Sequence, residues 1–142
     1  MLSGDLSTLI GGRYKEIYVQ ALSYTEFMQF HQLPDTDDTL SKYIQLGGLP
    51  GLLKMGLDER DAREYQTDVY HTVLLKDVIM RNQIRNVPFL ENLVRFLADN
   101  TGKIVSANSI VKYMKSQGEK VTSTVIINYL KFLCDAYIVH KV

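Results

Sequence analysis

The chain has 142 residues and a mass of 16.2 kDa; 46% of the residues are hydrophobic and 23% charged, with sixteen basic and sixteen acidic side chains. Such a balance supports a buried core and excludes disordered, collagen-like and low-complexity classes. No apolar run nears the roughly 18 residues of a membrane span, and the opening Met1-Leu2-Ser3-Gly4-Asp5 lacks the pattern of a secretory signal, so a cytoplasmic protein with no membrane partner is expected.

Ser3 or Asp5 is placed to cap a short helix through Ile10, which Gly11-Gly12 would end. Tyr14 to Gln20 (YKEIYVQ) mixes β-branched and aromatic residues and predicts a short strand. Ser23 stands three residues before Glu26, a capping-box spacing that starts a helix carrying Phe27, Met28 and Phe30. The run Pro34-Asp35-Thr36-Asp37-Asp38 is the first clear break. The strand stands alone: its backbone groups need a neighbour, and nothing else in the first hundred residues resembles one. Either it lies on the domain as an extended segment, or its sheet is outside this chain.

From Asp38 onward the pattern is helical. Leu40, Tyr43, Ile44 and Leu46 outline a short amphipathic helix stopped by Gly47-Gly48 and Pro50. Asp58 is expected to cap the longest helix, residues 59–82, whose buried stripe is Ala62, Tyr65, Val69, Val73, Leu74 and Ile79. Pro88 opens the next helix, with Leu90, Leu93, Val94 and Leu97 inward and Gly102 as its stop. Ser106 caps another, carrying Ile110, Val111, Tyr113 and Met114 and ending at Gly118. Thr122 or Ser123 caps the last, where Ile126, Leu130, Leu133, Cys134 and Tyr137 form a core stripe. The segment 137–142 then turns to strand chemistry.

Three helices followed by a strand outline a winged helix-turn-helix, in which the third helix enters the major groove. The turn is Gly118-Glu119-Lys120-Val121, with Val121 able to staple the helix entry against Ile126. Ser123, Thr124, Asn128 and Lys131 lie away from the core stripe, and Lys112, Lys115 and Lys120 flank them as candidate phosphate contacts. Charge is uneven: residues 1–100 carry ten basic and fourteen acidic side chains, residues 101–142 six lysines against Glu119 and Asp135. The competing account is an ordinary solvated helix face whose Ser, Thr and Asn are capping residues. Arginine, the commonest reader of guanine, is absent after Arg95.

Catalytic patterns are missing. Neither Gly11-Gly12 nor Gly47-Gly48 continues into a phosphate-binding G-x-x-x-x-G-K-[ST] loop, so nucleotide hydrolysis by this chain is not expected. His31, His71 and His140 lie far apart, and Asp35, Asp37 and Asp38 lack the glycine and twelfth-position glutamate of a calcium loop; no metal ligands are assigned. The single cysteine, Cys134, excludes an intrachain disulfide and a thiolate-rich zinc site, and reads as a packing residue.

Four segments together resemble a known family: LSGDLSTLIGGRYKEIYVQALSYTEF, YIQLGGLPGLL, VLLKDVIMRNQIRN and ANSIVKYMKSQGEKVTSTVIINYLKFLCDAYIVHKV. They are similar to prokaryotic AAA-type P-loop ATPases with a winged helix behind the ATPase core, usually followed by a nuclease-like domain of unknown function. The resemblance implies a mostly α fold in three parts: residues 1–34 a helix-strand-helix remnant of the core, 35–86 a helical linker or lid, and 87–142 a winged helix-turn-helix with an incomplete wing. It implies the C-terminal regulatory or nucleic-acid-facing portion of an ATP-binding protein, not catalytic by itself, in which a packing or regulatory role for the helix-turn-helix is expected ahead of sequence-specific DNA contact. ATP and magnesium belong to the intact family, with no cofactor expected on this chain. The family's Gly-Arg pair matches Gly12-Arg13, which makes Arg13 the one nucleotide-related residue by resemblance, while Ala21-Leu22-Ser23 departs from the usual Pro-Leu-Ser. Partners would be duplex DNA, the missing core or another protein, and a second copy paired through exposed strand edges. The rival readings are a stand-alone DNA-binding regulator and a protein-interaction module.

Overall fold

A computed structural model of the protein describes residue 17 and residues 19–141. Among them are six α-helices: α1 (Tyr24–His31), α2 (Asp37–Leu46), α3 (Glu59–His71), α4 (Val87–Asp99), α5 (Ala107–Ser116) and α6 (Ser123–Asp135). A 3-10 segment spans Pro50–Met55 and a π-helical one Thr72–Met80. The chain divides into two compact units, whose described residues run up to His71 in one and from Thr72 onward in the other.

In the first unit, the capping box forms as the spacing requires: the Glu26 carboxylate accepts the Ser23 amide at 2.8 Å, and Ser23 Oγ accepts the Glu26 amide. That backbone hydrogen bond, with a second from the Ser23 hydroxyl, holds the Glu26 carboxyl below its ordinary range. Phe27 is fully buried, its ring 5.3 Å from Tyr43 and 4.5 Å from His31. α2 is capped by Thr36, whose hydroxyl accepts the Thr39 amide, rather than starting at Asp38. Its inward face is Thr39, Tyr43 and Leu46, while Ile44 is 73% exposed and Leu40 41%. Two hydrogen bonds explain that rotation: Thr39 pairs with the Thr36 hydroxyl at 3.0 Å, and the Tyr43 hydroxyl donates to the Leu22 carbonyl at 3.0 Å. Leu46, Leu52 and Ala62 form a small core with Tyr65 against it, and the Gln66 side-chain amide donates to the Leu46 carbonyl. Asp58 caps α3 as expected, its Oδ1 accepting the Arg60 and Asp61 amides at 3.0 and 3.1 Å.

His31 gives this unit a pH dependence. Its Nε2 is buried without a hydrogen-bond partner among the described residues, and burial pushes the imidazole pKa below its usual value of 6.5. The unfolded chain therefore binds a proton more readily than the folded one, so stability is complete above the ordinary histidine range and declines as pH falls through it. In denaturant melts, wild type should lose stability between pH 7 and pH 5, and His31→Phe should lose less; parallel pH profiles would remove His31 from the account.

The second unit packs Val78, Ile84, Phe89, Leu90, Leu93, Ile110, Met114, Val121, Ile126, Leu133 and Ala136 into one core. Residues 59–82 are not one α-helix as their periodicity predicts. α3 ends at His71, and the wider i→i+5 winding of Thr72–Met80 brings Val78, absent from the 3.6-residue stripe, to full burial. α5 begins with Ser106 as cap and α6 with Thr122, as read from sequence, whereas α4 starts at Val87, one residue before the Pro88 expected to open it, with Asn86 as a cap not apparent from sequence.

The expected helix-strand-helix remnant of an ATPase core and the winged helix-turn-helix are both overturned: among the described residues the structure is helical, with no strand. The short helix through Ile10 and most of the segment 14–20 lie outside the described residues; Ile17, Val19 and Gln20 are exposed and outside regular structure. β-branched and aromatic residues favour a pleated surface, but a strand also needs a partner for its backbone groups, and no strand stands beside Ile17, Val19 and Gln20 among the described residues. At the other end the amides are already used. Tyr137 takes a left-handed φ of 57°, its amide donates to the Cys134 carbonyl at 3.0 Å, and the Ile138 amide donates back to Leu133 at 3.0 Å. This is a Schellman closure of α6. The Val139 amide also points back to the Leu133 carbonyl, at 3.4 Å, so residues expected to form a wing strand instead finish a helix. The proposed pairing of copies through strand edges has no edge among the described residues.

Candidate nucleic-acid interface

α5 and α6 meet across a tight turn that sequence alone locates correctly. Gly118 adopts φ 85°, and the Glu119 amide donates to the Met114 carbonyl at 3.0 Å, closing α5. Val121 then drops into the same core as Ile126, as a staple at the start of α6 should. Between the closed end of α5 and the Thr122 cap lies a shallow open depression lined by Lys115, Gly118, Glu119, Lys120, Val121 and Thr122. The turn thereby brings Lys115 and Lys120 to one surface, with Glu119 the single acidic side chain beside them.

A second tie sits nearby. The Ser123 hydroxyl donates to Asn108 Oδ1 at 2.8 Å, joining the first turns of α6 and α5. Asn108, Lys112 and Lys115 are spaced i, i+4, i+7 along α5 and so share a face. Ser123 is therefore a clasp between helices, half-buried, rather than a free group facing solvent. Asn108 was not apparent as part of this site; its spacing with the two lysines is the only sequence signal that marks it.

Thr124, Ile127, Asn128 and Lys131 repeat at i, i+3, i+4 and i+7 on α6 and are all exposed, Ile127 at 55%. Lys112, Lys115 and Lys120 are exposed as well. Among the described residues none of these four lysines (112, 115, 120 and 131) is in an ion pair. Charge follows the division into units: residues 13–71 carry six basic and ten acidic side chains, residues 72–142 ten basic and five acidic. Arg13 lies outside the described residues.

Cys134 is half-buried, and burial with the neighbouring Asp135 charge raises its thiol pKa, against a smaller opposing pull from Lys141. A protonated thiol is a poor nucleophile. No cluster of three metal-ligating side chains is found among the described residues, and no helix there is long and apolar enough to cross a membrane. Tyr113, read as part of the inner face of α5, lies at its edge with its ring 4.5 Å from Phe96.

Residues 37–142 match the model of a family described as a domain of unknown function (DUF8612). An uncharacterized protein of Haemophilus influenzae is 29% identical over 145 residues, covering 99% of this chain and 36% of its own length. The uncharacterized protein MJ1544 of Methanocaldococcus jannaschii is 24% identical, covering 98% of this chain and 34% of its own. The chain thus spans about a third of the length of the curated relatives it matches. No solved structure matches it. With the match running from Asp37 to Val142, both sides of the α5–α6 turn fall within it, and the chain belongs to the DUF8612 family.

Proposed function

We propose that the unit beginning at Thr72 docks on the phosphate backbone of duplex DNA through the α5–turn–α6 surface, as the target-facing part of a longer ATP-driven protein. The observation that carries the docking is the set of four exposed lysines, 112, 115, 120 and 131, unpaired among the described residues in a stretch, residues 72–142, with ten basic and five acidic side chains. Each lysine that meets a phosphate releases a condensed counterion, so affinity comes from an entropic term that needs no sequence-specific contact. The longer ATP-driven context is supported by the resemblance of four segments to AAA-type ATPases and by relatives about three times the length of this chain. Lacking a phosphate-binding loop, this stretch serves as a contact surface rather than as the hydrolytic part.

Ile127 favours a second reading, a protein partner, because an apolar side chain in the middle of a polar helix face suits a protein surface too. Fluorescence anisotropy with a labelled 20-bp duplex between 50 and 300 mM salt separates the two. Four phosphate contacts predict a log-log salt slope of about −3.6, and Lys120→Glu with Lys131→Glu should flatten it by about 2. Circular dichroism of the double variant checks that α6 persists. Absence of salt-dependent binding in wild type would overturn the docking.

A further inference from the structure

The outer stripe of α6 has a chemistry of its own beyond charge. Thr124, Ile127, Asn128 and Lys131 lie along one side of a 13-residue helix, and the Asn128 amide makes no hydrogen bond among the described residues. A major groove about 12 Å wide admits a helix, and in it adenine shows an acceptor at N7 beside a donor at N6. A carboxamide matches that pair bidentately, its oxygen accepting from N6 and its NH2 donating to N7. Thymine is the base that shows a methyl group there, and Ile127 with the Thr124 methyl supplies apolar surface for it. Guanine offers two acceptors, which suit an arginine fork, and no arginine follows Arg95. The stripe therefore holds groups complementary to one base pair and lacks the best reader of the other.

Resting on the backbone docking above, we infer that α6 reads A·T base pairs in the major groove, with Asn128 on adenine and Ile127 on the thymine methyl. Ser123 is not among the readers, because it is half-buried and its hydroxyl proton is committed to Asn108. That bond instead fixes the start of α6 against α5, and so sets the depth at which the stripe meets the bases. Lys131, one turn beyond Ile127, closes the stripe with a phosphate contact.

The test uses duplexes of equal length and charge at one salt concentration: A·T-rich, G·C-rich, A·T-rich with uracil for thymine, and A·T-rich with 7-deazaadenine. The A·T-rich duplex should bind about tenfold more tightly than the G·C-rich one. Uracil removes only the methyl, and 7-deazaadenine only the N7 acceptor; each should erase a few-fold of that preference. Asn128→Ala should bind the adenine and 7-deazaadenine duplexes equally, and Ile127→Ala the thymine and uracil duplexes equally, both with the wild-type salt slope. Equal affinity for A·T- and G·C-rich duplexes, with the salt slope intact, would overturn base reading and leave the docking standing. A preference that survived both base analogues would come from groove shape and would also overturn it. Failure to bind any duplex would instead refute the docking on which it rests.

Discussion

Gly48→Ala should destabilise the first unit by about 3 kcal/mol, near the upper end of what forced overpacking costs. A Cβ built on Gly48 falls 2.8 Å from the Leu22 amide nitrogen and closer still to the Leu22 carbonyl oxygen. Both neighbours are backbone, so no side chain can swing aside. The same strand of chain is held from two directions, by the Leu22 amide on the Gly48 carbonyl at 2.7 Å and by the Tyr43 hydroxyl on the Leu22 carbonyl. Relief of the clash has to break at least one of these bonds, and the segment that leads into the α1 capping box moves with it. A glycine needed only for its left-handed conformation typically costs about 1 kcal/mol when replaced. The larger loss expected here is steric. Urea denaturation, with amide exchange read at Leu22 and Gly47, checks it. A loss under 1 kcal/mol would mean that this approach is looser than described.

Leu133→Ala is the second large effect, at about 3 to 4 kcal/mol. Leu133 is fully buried in the core of the second unit, and its carbonyl accepts the Ile138 amide that closes α6. Alanine keeps the carbonyl but leaves a cavity under the closure, removing the apolar contact that normally accompanies a Schellman ending. α6 should fray from its C-terminal end, so exchange at Ile138 should rise more than at Ile126. Duplex affinity at low temperature should fall only by the unfolded fraction, since Leu133 is on the opposite side of the helix from Asn128. A shift in urea midpoint of less than one third of this expectation would show that the core collapses around the vacancy.

Local signals carried a good part of the second unit. Ser106 and Thr122 cap their helices, Pro88 stands in the first turn of its own, and Gly118 turns the chain, because each of these depends on bonds within a few residues. The orientation of α2 was not legible. It follows from Tyr43 reaching Leu22, twenty-one residues away, a long-range bond that outweighs the apolar spacing of Leu40 and Ile44. The π winding at Thr72–Met80 likewise has no sequence signature in a 3.6-residue count, and it displaced Val78 from the expected stripe. Of the two anticipated strands, the first lies mostly outside the described residues, and at the second the amides of Tyr137, Ile138 and Val139 turn back to close α6, so a helix ending prevails over strand propensity. Of the candidate site, the exposed lysines and the α6 stripe were legible from helical spacing, but the Ser123–Asn108 clasp needed two helices in place.

The sorting of charge between the units also governs how copies of the chain behave toward one another. At pH near 7 the formal total is zero, so no overall repulsion keeps molecules apart. The surplus of acid in residues 13–71 and of base in residues 72–142 leaves each molecule with patches that attract the opposite patch on its neighbours. Dilute buffer therefore favours clouding of concentrated solutions, and added salt, by shortening the reach of those patches, clears them.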